Sequence, residues 1–209
     1  MIDNRKLTKE QMLFGLAEIG RELALLGETG FILICGGASM CIVHGAREET
    51  KDIDAIIIPY DLIEPLIKKI AKKYNWREDW LNNKSSMFFY RSAPRTQVLS
   101  VPGLNVFSVT PDFLLAMKLL SCRTYGPDKD DIKFLGKKLQ FTTVEQFLKV
   151  VEDHFELMTI PGASLVEIHN FFQEQKESKQ SEVLSPSNDS IQGTSENSKK
   201  KPSRSPLAP

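Results

Sequence analysis

The stretch Phe31–Pro59, FILICGGASMCIVHGAREETKDIDAIIIP, constrains the fold more than any other part of this 209-residue chain. An apolar run ends in the adjacent glycines Gly36 and Gly37. A short mixed segment follows, and Asp52 and Asp54 then alternate with isoleucine before a second apolar run. The spacing predicts strand, Gly-rich turn, short helix, strand. Residues i and i+2 of a strand share a face, so Asp52 and Asp54 aim their carboxylates the same way while Ile53 points to the other side. Two carboxylates held together in a partly dry cleft repel unless a cation sits between them. Hard oxygen ligands of this kind suit Mg²⁺ or Mn²⁺, so a single metal or a metal pair is expected. Gly36 and Gly37 complement the pair, because residues without Cβ let backbone N–H groups approach a phosphate, and the helix that follows presents its positive end there. Ser39 is placed to add a hydroxyl to the same phosphate.

Each half of this pattern also occurs as ordinary structure, a tight turn in one case and a solvated strand end in the other. The combination is more specific. GGASMCIVHGAREETKDIDAII resembles the signature of the DNA polymerase β-like nucleotidyltransferase superfamily, and with the motifs further on it is most similar to the small prokaryotic branch related to abortive-infection and toxin–antitoxin nucleotidyltransferases. The resemblance implies that Gly36 and Gly37 bind a triphosphate and that Asp52 and Asp54 bind catalytic metal. It also places a basic residue, here Arg47, near the triphosphate; the alternative for Arg47 is a surface ion pair with Glu48 or Glu49.

Around this centre the apolar spacing predicts an α+β fold of α/β-like pattern: a small mixed sheet flanked by helices, a C-terminal helical part and a disordered tail. Thr8 and Gln11 form a capping box before a helix with Met12, Leu16, Ile19 and Leu23 on one face, and Gly27 is a stop. Tyr60–Tyr74 reads as a helix carrying Lys68, Lys69, Lys72 and Lys73, either a solvated face or a contact for an RNA backbone. NWREDWLNNK reads as a loop or short helix over the domain edge. Met87–Tyr90, Gln97–Val101 and Asn105–Val109 read as further strands. Pro111 opens the next helix.

Lys118 is the one charge among the apolar residues of that helix, so its ammonium either snorkels to solvent or meets an anion. After Gly126 and Pro127, Asp128 is expected to cap another helix, with Asp131 one turn on. In the resembling toxin-like enzymes a Lys-x-x-x-x-Arg helix precedes an (Arg/Lys)-Asp-x-x-Asp helix, and Lys118, Arg123, Asp128 and Asp131 match those positions. The likeness assigns Lys118 and Arg123 to the nucleotide and Asp131 to catalysis. His44, His154 and His169 read as structural. Thr142 with Glu145 and Ser164 with Glu167 are capping boxes, for helices near 143–155 and 165–176. Residues 1–140 are thus a nucleotidyltransferase-like core, 141–176 helices packed on it, and 177–209 a tail too polar to fold.

One departure stands out. A third carboxylate is expected on a strand after Asp-x-Asp, yet no Asp or Glu occurs between Ser85 and Thr110. Two carboxylates suffice, or one from elsewhere joins them, or activity has been lost. The resemblance implies metal-dependent transfer of a nucleoside monophosphate from an NTP to RNA, tRNA or a protein side chain, in a toxin-like component with a cognate antitoxin or other partner protein. The alternative is a degenerate fold that binds nucleotide or partner. Lys+Arg and Asp+Glu both number 27, so no global charge draws the chain to nucleic acid. Cys35, Cys41 and Cys122 show no metal-ligand spacing and read as buried thiols. With no apolar run long enough for a signal or membrane span, a soluble cytoplasmic protein with no membrane partner is expected.

Overall fold

Apolar alternation in the strands and a 3.6-residue period in the helices divide the chain's hydrophobic residues between two faces of one sheet. The computed structural model describes residues 5–84, 93–121 and 127–183, with side chains to 177. In chain order its elements are β1 (Leu7–Thr8), α1 (Lys9–Leu25), β2 (Gly30–Ile34), α2 (Gly36–Ile42), β3 (Glu49–Thr50), β4 (Ile53–Ile58), α3 (Tyr60–Tyr74), β5 (Leu81–Asn82), β6 (Arg95–Val101), β7 (Leu104–Val109), α4 (Pro111–Ser121), α5 (Asp128–Lys138), α6 (Val144–His154) and α7 (Gly162–Val183). The sheet order is β5-β4-β2-β7-β6, and β1 pairs with β3 in a separate ribbon. β2 runs antiparallel to β4 and parallel to β7, while β4 and β5 are parallel. The fold is α+β, as the sequence pattern predicts.

Alternation along β2 and β4 assigns the faces. Ile32, Ile34, Ile53, Ala55 and Ile57 pack with Met12, Leu16, Ile19 and Leu23 of α1 and Ile63, Ile67 and Ile70 of α3. Leu33 and Cys35 turn the other way, into a second core with Leu115 and Leu119 of α4, Ile132 and Leu135 of α5, Phe147 of α6 and Phe171 of α7. Ile56 packs against this second core. By parity Asp52 and Asp54 belong to the same side as Ile56, the side bounded by α4 and the helices after it.

The predicted start of α1 is present: Thr8 accepts from the Gln11 N–H, and the Gln11 side chain accepts from the Thr8 N–H. Other local assignments shift. The box at the start of α6 is Thr143 with Gln146, in place of Thr142 with Glu145. Ser164 is no cap either: it lies inside α7, fully buried, and its hydroxyl donates to the Leu119 carbonyl. α7 continues to Val183, while the apolar content falls after Glu174. Met87–Tyr90 lies outside the described residues. Among the described residues no helix is long and apolar enough to cross a membrane.

The largest correction concerns NWREDWLNNK. It is no edge cover: Trp80 is fully buried, its Nε1–H donates to the Ile67 carbonyl at 3.2 Å, and its own carbonyl accepts from Ile53 N–H at 2.7 Å. Trp80 thereby joins β5 to β4 through its backbone and to α3 through its indole. Trp80→Ala is expected to lower the unfolding free energy by about 3–5 kcal/mol. Urea unfolding measures it, and an unchanged midpoint would contradict this anchoring role.

Candidate active site

Pairing of β2 with β4 brings the two halves of the central motif together. Cys35 N–H donates to the Asp54 carbonyl at 3.0 Å, so the residue before the glycines and the second aspartate are locked side by side. Gly36 follows with φ +61, a left-handed conformation that glycine adopts without strain. A Cβ on Gly36 would stand 3.5 Å from Asp54 Oδ2. On Gly37 it would stand 2.7 Å from Thr50 Oγ1 and 3.4 Å from Arg47 Nη1. The bare turn therefore has a carboxylate on one side and a guanidinium on the other.

Asp52 and Asp54 are both half-buried. Burial, then the charge of Asp54, then that of Asp79 push the Asp52 carboxyl above the usual carboxylate range, against the pull of Lys84 and Arg77. Asp79 is the residue that sequence reasoning missed. β5 pairs in parallel with β4, Ile53 opposite Leu81 and Asp54 opposite Asn82, so Asp79 lies just before the strand, where its charge acts on Asp52. Arg77 and Lys84 hold Asp79 as a surface ion cluster. The apolar Leu81 beside Trp80 is the sequence signal that this segment joins the sheet.

The donor set suits a hard divalent cation in part. Among the described residues no group of three or more His, Cys, Asp or Glu side chains is placed to hold a metal. Asp52 and Asp54 are a pair, and the raised Asp52 marks a local excess of negative charge that a cation would relieve. Mg²⁺ is commonly bound by one or two carboxylates, with water and substrate phosphate completing its shell.

A second charged cluster lies behind Gly37. Asp131 forms an ion pair with Arg47, whose Nε donates to Oδ1 at 3.2 Å, and its Oδ2 is 2.8 Å from Lys118 Nζ. Lys118 Nζ is also 2.8 Å from Asp128 Oδ1. Lys118, Asp128 and Asp131 are 7%, 1% and 3% exposed. Lys118 thus meets an anion from its own chain instead of snorkelling. Arg47 pairs with neither Glu48 nor Glu49, and Pro127, not Asp128, is the N-cap of α5. The four charges tie α4 and α5 to the loop that carries Arg47.

A family model described as "nucleotidyltransferase of unknown function (DUF6036)" matches residues 12–175, which include both glycines, both aspartates and the whole buried charge cluster. The chain belongs to this nucleotidyltransferase family. No curated protein and no solved structure matches it.

The remaining expected residues of this family member fall in varied places. Ser39 is fully buried, its Oγ 2.7 Å from Ser108 Oγ, so its hydroxyl faces the interior. Arg123 lies outside the described residues. His44 packs near the Phe134 ring with both ring nitrogens buried, and burial, then the charge of Lys138, hold it below the usual histidine range. His154 bonds Asp112 at 2.8 Å, and His169 lies 3.2 Å from Gln173. Of the lysine stripe on α3, Lys68 pairs with Glu64, Lys69 with Glu22 and Lys73 with Glu18. Two of those pairs bind α3 to α1, which reduces the charge available to a polynucleotide.

Two outcomes follow from these charges. Lys118→Met leaves Asp128 and Asp131 buried with less countercharge, and about 3–5 kcal/mol of stability should be lost on chemical denaturation; adding Asp128→Asn should recover part of it. For Asp52 the folded carboxyl holds its proton more tightly than the unfolded one, so ionisation destabilises the fold. In EDTA, Asp52→Asn should match the wild type in melting temperature below the ordinary carboxylate range. Its advantage should grow as pH rises from about 4 through the raised folded value. A flat difference across pH would refute the assignment.

Proposed function

We propose that this protein transfers a nucleoside monophosphate from an NTP to an acceptor hydroxyl, with Mg²⁺ or Mn²⁺ held by Asp52 and Asp54. The observation that carries the reading is the placement of these carboxylates against the Gly36–Gly37 turn. Asp54 Oδ2 lies 3.5 Å from where a side chain on Gly36 would begin, and the Cys35–Asp54 hydrogen bond sets that approach. A bound divalent cation supplies charge neutralisation at the α-phosphate and at the leaving pyrophosphate.

The chain's own groups do the rest. The glycine turn lets backbone N–H groups reach the phosphates, since any Cβ at Gly37 would collide with Thr50. Arg47 stands at that turn, and Asp131 and Lys118 hold it there from behind. We therefore assign Lys118, Asp128 and Asp131 to positioning Arg47. Such preorganised charge acts on the transition state without reorganising during the reaction.

The likeness to the toxin–antitoxin branch supports RNA, tRNA or a protein side chain as acceptor and a cognate antitoxin as partner. Incubation of the protein with each α-³²P-labelled NTP, Mg²⁺ or Mn²⁺, and total cellular RNA and protein tests the reading. Label should enter one acceptor class, with pyrophosphate released, and Asp52→Ala/Asp54→Ala should reduce it at least about a hundredfold. Mg²⁺-dependent nucleotide binding with no transfer would instead favour a degenerate binding module. Release of inorganic phosphate would mark a phosphohydrolase.

A further inference from the structure

If Lys118 is committed to two buried aspartates, the triphosphate's charge must be met elsewhere. Lys118 Nζ sits 2.8 Å from each of Asp128 and Asp131 and is almost wholly buried, so withdrawing it would strand two carboxylates in the interior. Arg47 serves the Gly37 side of the turn. On the opposite side, along β5, the cations are Arg77 and Lys84.

Lys84 differs from Lys118 in each respect that matters. Its side chain is 66% exposed, and its Nζ meets Asp79 Oδ2 at 2.9 Å in a surface pair of the kind that contributes little. Its place is nevertheless fixed. Asn82, buried and in register with Asp54, accepts the Lys84 N–H on Oδ1 at 3.1 Å, and its Nδ2 donates to the Asp79 carbonyl at 3.4 Å. The turn folds back on itself, so Lys84 stands over Asp79 at the edge that bears Asp52 and Asp54. The charges of Asp79, Asp52 and Asp54 all reach it.

We propose that Lys84 is the residue that binds the outer phosphates of the NTP, leaving Asp79 to do so; the inference rests on the nucleotidyltransferase reading above. Arg77 makes the exchange feasible. Its Nε and Nη2 donate to Asp79 Oδ1 and Oδ2 at 3.0 and 3.1 Å, so Asp79 keeps a fork of hydrogen bonds when Lys84 departs. A phosphate gains a charge-assisted hydrogen bond and no carboxylate is left unpaired. Asp79 thus acts as a resting partner that keeps the ammonium beside the metal-binding carboxylates and off other anions.

The test is calorimetric titration of the full chain with the Mg²⁺ complexes of α,β-methylene analogues of the four NTPs and, separately, with the four NMPs. Lys84→Ala should weaken the bound analogue about tenfold, leave the monophosphate unchanged and keep the wild-type melting temperature, with Lys84→Arg restoring most of the loss. Equal binding of the analogue by wild type and Lys84→Ala would overturn this role and leave the transfer reading intact. Equal weakening of triphosphate and monophosphate would also overturn it. If the wild type binds none of the analogues, both readings fall together.

Discussion

The hydrogen bond from Cys35 N–H to the Asp54 carbonyl is the contact on which the rest of the site depends. It is the last rung of the β2–β4 pairing, whose register sets Ile34 opposite Ala55. A slip of one residue would carry Asp52 and Asp54 to the other face, among the aliphatic side chains of α1 and α3. The two apolar strands therefore do more than fill a core. Their burial on both faces makes the register costly to change, and the register puts the carboxylates beside the glycine turn.

Outside that rung, charged side chains meet the centre from two directions and are treated oppositely by the fold. On the α4–α5 side, Lys118, Asp128 and Asp131 are held in the interior at the expense of availability, and Asp131 fixes the partly exposed Arg47. On the β5 side, Arg77, Asp79 and Lys84 remain in solvent contact, where ion pairs are weak and exchangeable. A rigid charge cluster thus lies on the Gly37 side and an adaptable one beside β4.

Much of this was legible in the order of residues. The strand, turn, helix, strand sequence at Phe31–Pro59 follows from apolar runs, paired glycines and alternating aspartates, all of which are local signals. The same holds for the Thr8 cap and for Pro111 at the start of α4. Trp80 is hidden in the sequence for one reason: the polar neighbours of NWREDWLNNK imitate a surface loop, while a strand of two residues is too short to show alternation. What buries Trp80 is a space between α1, α3 and β4, and that space is invisible until those elements are packed.

The sequence by itself determined the longer helices and strands, the α+β class and the pairing of a glycine turn with two same-facing carboxylates, because period and backbone freedom are properties of neighbouring residues. It also marked Lys118 as a lone cation in an apolar helix, bound either to snorkel to solvent or to meet an anion. Only the tertiary structure decided which anion. Lys118 meets Asp128 and Asp131, Arg47 reaches 84 positions along the chain to Asp131, and Asp79 pairs with Arg77 and Lys84. Ion pairing is settled by distance and burial, and these arise when helices and strands far apart in the chain close around a shared core.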